Sequence, residues 1–147
     1  MSLPTFEGTS PHISDRYITN EIAGVAITMG QLVYISADGT VLPTPNAPAV
    51  YCGRYGIAMT TAAINKQVSV LWRGRARATA YGTITAGDMV GPASAGTGVG
   101  LIQTIVKPGL TVSAGTALVT YLAQMLSVIG SCEIGAASGG SAIIFME

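Results

Sequence analysis

The chain has 147 residues, of which 49% are apolar and only 10% charged, with seven basic and seven acidic side chains giving a formal charge of zero. That length suits one domain with a sizeable core, and the charge lies far below the quarter that soluble domains ordinarily carry. A neutral chain has no overall field to draw it to nucleic acid or an anionic membrane, and no apolar run approaches the ~18 residues of a spanning helix.

So few charges leave the surface to Thr, Ser, Ala, Gly and apolar atoms. Such a surface suits either a protomer covered by neighbours or a neutral β-domain. The charges are also segregated. Residues 1–50 set Glu7, Asp15, Glu21 and Asp38 against Arg16, and residues 51–107 set Arg54, Lys66, Arg73, Arg75, Arg77 and Lys107 against Asp88. No secretory signal is legible at the N-terminus. Cys52 and Cys132 are too few for a disulfide framework and read as buried free thiols made in a reducing cytoplasm.

Residues 1–20 contain Pro4, Gly8 and Pro11 and show no sustained period, so they read as an extended N-terminal arm. Phe6, Ile13, Arg16 and Tyr17 are the side chains with which that arm can dock on a partner. His12, the only histidine, sits in it without a second imidazole nearby. From Ile22 the chain turns β-like, and residues 21–147 read as a single β domain.

A short phrase then organises the rest: an apolar residue, Thr or Ser, any residue, Gly, two further positions and an apolar residue. It occurs at Ile27–Val33, at Ile84–Val90 and at Val112–Leu118, centred on Gly30, Gly87 and Gly115. Glycine reaches positive φ at little steric cost, so each copy reads as a turn that launches a strand. Asp38-Gly39 is a hairpin turn between Leu32–Ile35 and Val41–Leu42. Asp38 and Asp88 read as turn residues whose carboxylates bond local backbone amides. Pro43, Pro45 and Pro48 mark a surface loop or sheet edge.

Residues 50–58 and 68–78 read as central strands, joined by a turn of helix or a broad connection over 59–66. In the second of them the two-residue period puts Arg73, Arg75 and Arg77 on one face, with Trp72, Gly74, Ala76 and Ala78 on the other. Three like charges on one face need solvent or acidic partners, which makes them candidates for a subunit contact. Residues 91–100 lack the spacing and the lysine of a nucleotide loop and read as a flexible surface loop. Leu101–Val106 resumes a strand. Residues 116–129 read as a short helix or helical turn, by the polar stripe of Thr120, Gln124 and Ser127, passing into strand from Leu126, although residues 116–126 also suit a buried strand.

The stretch Gly56–Leu71 is echoed by Gly130–Phe145, each a Gly, a short strand, an Ala-rich turn and an apolar strand. A Gly-turn unit followed by such a hairpin thus appears in both halves. The expected fold is all-β, a small β-barrel or β-sandwich-like domain with at most one or two short helices. No nucleophile–base pair, metal motif or cofactor fingerprint is legible, so neither an enzyme nor a cofactor is expected.

The phrases ITMGQLVYISADGTV, ITAGDMVGPASAGTGV, YGIAMTTAAINKQVSVLWRG and IGSCEIGAASGGSAIIFME resemble those of tailed-phage head decoration proteins, also called capsid cement or stabilising proteins. The resemblance covers residues 22–147. It implies a small β fold, homotrimers on the outer capsid surface of the virion, and the major capsid protein as partner, with neither nucleic acid nor membrane involved. An N-terminal arm that orders on the shell is common in related proteins. The rival readings are a phage fibre or receptor-binding module, and an enzyme built from scattered acids.

Overall fold

The computed structural model describes residues 16–45, 54–93, 99–105 and 128–147. They form nine strands: β1 (Tyr17–Ile22), β2 (Leu32–Ile35), β3 (Val41–Pro43), β4 (Tyr55–Ala58), β5 (Gln67–Thr79), β6 (Met89–Pro92), β7 (Ile102–Thr104), β8 (Gly130–Ile134) and β9 (Ser141–Met146). All named strands pair antiparallel in one curled, half-barrel sheet of order β3-β2-β4-β5-β9-β8-β6-β7, with β1 paired to β5 beside that path. No helix occurs among the described residues.

β5 is the axis. Its first half pairs with β1 and β4, as in Thr19↔Val70 and Ala58↔Val70, and its second half pairs with β9, from Gly74↔Met146 to Thr79↔Ser141. The strand is therefore shared by two units of one design. Unit one runs from β1 to the first half of β5, and unit two from the second half of β5 to β9.

The equivalence of the units is detailed. Ile27 and Ala62 exchange backbone bonds of 2.8 and 2.9 Å, and Ile84 and Ala136 exchange two of 2.9 Å. Gly30 N donates to Ala58 O at 2.8 Å, and Gly87 N donates to Cys132 O at 2.8 Å. These glycines have φ of 91° and 92°, the left-handed region in which a Cβ is strained. Each turn delivers its chain straight into a strand, β2 in one unit and β6 in the other.

The cores repeat too. Ala23, Ile27, Val33, Val41, Ala58, Ala62, Val68, Val70 and Trp72 make the unit-one cluster. Their counterparts in unit two are Ala80, Ile84, Val90, Ile102, Cys132, Ala136, Ala142, Ile144 and Met146, all in the second cluster or packed on it. Leu32, Ile57 and Leu71, from the opposite face of the unit-one sheet, join this second cluster and weld the units together. Apolar side chains on both faces of β2, β4 and β5 thus serve two cores.

Some sequence expectations shift. Tyr17–Asn20, assigned to the arm, lie in β1: the proline and glycine signals stop at Pro11, and Ile18–Ile22 alternates exposed with half-buried positions against β5. Gly91 and Pro92, assigned to a flexible loop, close β6, where they pair with Gln103 and Ile102. Residues 59–66 are a connection without a helix, pinned by the Ile27–Ala62 bridge. Pro43 ends β3 at the sheet edge. Phe6, Ile13, Gly115 and the helix-or-strand segment 116–126 lie outside the described residues.

Candidate functional site

β5 presents Arg73, Arg75 and Arg77 on its exposed face, while Trp72, Gly74, Ala76 and Ala78 are buried behind them. Alternation from Trp72 to Thr79 produces this division, because successive side chains of a strand leave opposite faces. Arg75 Nε meets Glu133 Oε2 of β8 at 2.5 Å in a solvent-exposed ion pair. Arg73 and Arg77 have no ion-pair partner among the described residues and leave two unneutralised cations on the face.

Apolar side chains flank these cations. Phe145 lies opposite Arg75 and Ile143 opposite Arg77 on β9, both half-buried. Met29, at the tip of the Gly30 turn, is 62% exposed. With Met59, Gly30 and Ile143 it borders a cleft of about 390 Å³ that opens beside Arg75 and Arg77. The combination of arginine, methionine and partly open aromatic and aliphatic side chains matches the composition of protein–protein contacts.

A second cluster joins β1 to the front of β5. The Arg54 guanidinium lies 5.2 Å from the Tyr17 ring centroid and 5.7 Å from that of Trp72. Trp72 is buried, and its Nε1 donates to Thr19 Oγ1 at 2.6 Å, which in turn donates to Glu21 Oε1 at 2.6 Å. Tyr17 is half exposed, so the cluster holds a cation against an open aromatic ring. A further cleft, of about 350 Å³, lies between Arg54 and Trp72 on one side and Met89, Ser131, Met146 and Glu147 on the other.

The turn carboxylates are spent locally. Asp88 Oδ2 accepts from Thr85 N at 2.9 Å and from Thr104 Oγ1 at 2.8 Å. Asp38 Oδ1 accepts from Thr40 N at 3.0 Å, from Thr40 Oγ1 at 2.7 Å and from Ser36 Oγ. These bonds, that from Ser36 first, hold the Asp38 carboxyl at about 2, below its ordinary 3.8. Burial pushes the Cys132 thiol up, away from the reactive thiolate. Among the described residues no three His, Cys, Asp or Glu side chains converge, and no helix is long and apolar enough to cross a membrane.

Of the residues singled out by sequence, Arg73, Arg75 and Arg77 share one face, and Tyr17 of β1 lies opposite Arg73. Arg16 is exposed just before β1. Gly30, Gly39 and Gly87 all have positive φ in turns. Sequence reasoning missed Arg54, Thr19 and Glu133, whose importance comes from pairing between distant strands. The one signal available was the isolation of Trp72, the only tryptophan, on the inward face of a strand.

No family model and no curated protein matches the sequence. The fold, however, is similar to that of the N base of the head fiber gp8.5 of bacteriophage phi29, with a TM-score of 0.59 at 12% identity, over 90% of this chain and 94% of that one. At that identity the likeness is one of fold: two chains with few residues in common fold the same way along nearly their whole lengths.

Proposed function

We propose that the protein is a structural component of a phage head, a cement-like decoration protein that binds the outer surface of the assembled capsid as a homotrimer and bridges major capsid subunits. The observation that carries this reading is the shared fold with the base of a phage head fiber over 90% of the chain. The sequence resemblance to head decoration proteins points the same way. So do the 10% charge content and the Arg, Met and Phe side chains around β5, which suit a protein working between neighbours. The protein is not an enzyme in this reading and holds no cofactor; its partners are itself and the capsid shell, not nucleic acid or membrane.

The mechanism is thermodynamic. A protein that binds the expanded lattice and not free capsid subunits stabilises that lattice by mass action. Three linked contacts per trimer make complete release rare, since the second and third contacts form at high effective concentration. The part of the expected arm that precedes β1, residues 1–16, supplies one such contact.

The neighbour's name favours a second reading, in which the chain is the capsid-seated base of a fibre or receptor-binding assembly. Reconstruction of virions with imposed symmetry separates the two. Density for this fold alone on the outer shell at three-fold positions supports cement, and a stalk extending from it supports a fibre base. Absence of the protein from virions contradicts both.

A further inference from the structure

The two-unit design has an internal junction, and each of its halves recurs, unfilled, at one end of the array. At the junction the Gly30 turn of unit one caps the first strand of unit two: Thr79 N donates to Gly30 O at 3.0 Å, and a Cβ on Gly30 would lie 3.1 Å from Thr79 Oγ1. The hairpin loop of unit two seats on the same side, with Leu32 N donating to Gly100 O at 2.7 Å and Gly100 N to Thr44 O at 2.9 Å. Leu32, Ile57 and Leu71 are fully buried there.

Among the described residues several partners in this contact have a more open counterpart, although Ile105, the counterpart of Thr44, is buried. Gly87 corresponds to Gly30 and Gly39 to Gly100, and among the described residues neither has a heavy atom within 4 Å of where a Cβ would stand. Ile22 corresponds to Thr79 and is 47% exposed. Met89, Ser131 and Phe145 correspond to the buried Leu32, Ile57 and Leu71, yet Ser131 is exposed and the other two only half-buried. The Gly87 side of unit two is therefore a socket of the kind that unit one uses, and the β1 and Gly39 side of unit one is the matching plug.

The geometry points to head-to-tail association of copies of this chain, in which the socket of unit two receives unit one of a second copy as unit one receives unit two within the chain. Charge favours the register. Glu147 after β9 and Arg16 before β1 both take the place that Arg73 holds inside β5, and they have opposite sign. One pair opposes it: Asp38 and Asp88 stand where Val99 and Gln31 stand at the internal junction. The contact between copies is accordingly weaker than the internal one. A heterologous contact of this type closes a ring when its rotation permits, and a cyclic trimer requires one. The inference thus rests on the self-association in the proposed function and names its surface.

Sedimentation velocity across a concentration series tests it with Ile22→Arg in the plug and Ser131→Arg in the socket. Both are exposed positions, and circular dichroism confirms that each variant is folded. Each variant alone should associate roughly tenfold more weakly or worse, because a charge enters a contact that excludes water. A mixture of the two should form a one-to-one dimer and nothing larger, since one intact plug meets one intact socket. Wild-type protein that stays monomeric overturns both this interface and the trimer. A trimer unaffected by either variant, or variants that fail to complement each other when folded, overturns the interface and leaves the trimer standing.

Discussion

Ile27 and Ile84 occupy one position in two copies of the same structural unit, each buried and each exchanging a pair of backbone hydrogen bonds with an alanine, Ala62 in one unit and Ala136 in the other. The shared strand β5 makes these copies a single body, because it ends unit one and begins unit two. Stability and surface chemistry follow from that arrangement.

Trp72 closes the unit-one core and has its indole N–H satisfied by Thr19. Thr19→Val removes the acceptor and leaves a donor in a buried ring, at a cost of about 1–3 kcal/mol. Trp72→Ala leaves a cavity as well, and large-to-small core changes of this type cost about 3–5 kcal/mol. Urea unfolding should rank the variants in that order, both less stable than wild type. A fully stable Thr19→Val protein contradicts the bond's role.

Gly30 and Gly87 separate backbone strain from crowding. Either replaced by alanine suffers the left-handed φ, at roughly 1–2 kcal/mol. Only at Gly30 does the new methyl also press on Thr79, so Gly30→Ala should melt lower than Gly87→Ala under monomeric conditions. Equal melting temperatures would show that the junction yields without cost.

These turns were the most legible part of the sequence, because a positive φ leaves a local signature in the glycine that provides it. The arginine face of β5 was equally legible, since a two-residue period holds from Trp72 to Thr79. The echo of Gly56–Leu71 in Gly130–Phe145 identified the repeated hairpins, which the structure places in corresponding positions of the two units. Pairing was not legible. Nothing local tells that Thr19 meets Trp72 or that Glu133 meets Arg75, and the composition of the first 16 residues carried the arm too far into β1.

Asp38 gives a pH signature. Its carboxyl is held at about 2 in the folded chain against an ordinary 3.8, so its hydrogen bonds with Ser36 and Thr40 stabilise the fold fully above that ordinary value. The contribution disappears as pH falls from about 3.8 through about 2. Asp38→Asn should melt lower than wild type at neutral pH, and the difference should shrink across that acid window. A difference independent of pH would contradict the assignment. The site is open to solvent, so the effect is small.

The Arg75–Glu133 pair is also exposed, and Glu133→Gln should change stability by less than about 1 kcal/mol at moderate salt. Its larger effect is electrostatic: a third free cation joins Arg73 and Arg77. If this face meets an acidic partner surface on the shell, capsid association by the variant should quicken at low salt and lose that advantage at high salt. Stopped-flow light scattering with expanded capsids reads the rate, and a salt-independent rate counts against the face as a contact.

Capsid stabilisation is the centre of the account, and heating reads it directly. The proposed function makes the chain phage-encoded, so expanded, DNA-free capsids of the corresponding phage are saturated with the purified protein, and their disruption temperature is followed by light scattering. Bound protein should raise that temperature in proportion to occupancy, and removal of residues 1–15, which precede β1, should reduce binding while leaving the β domain folded. Capsids that do not bind the protein, or that bind it fully and come apart at an unchanged temperature, would contradict a cement function.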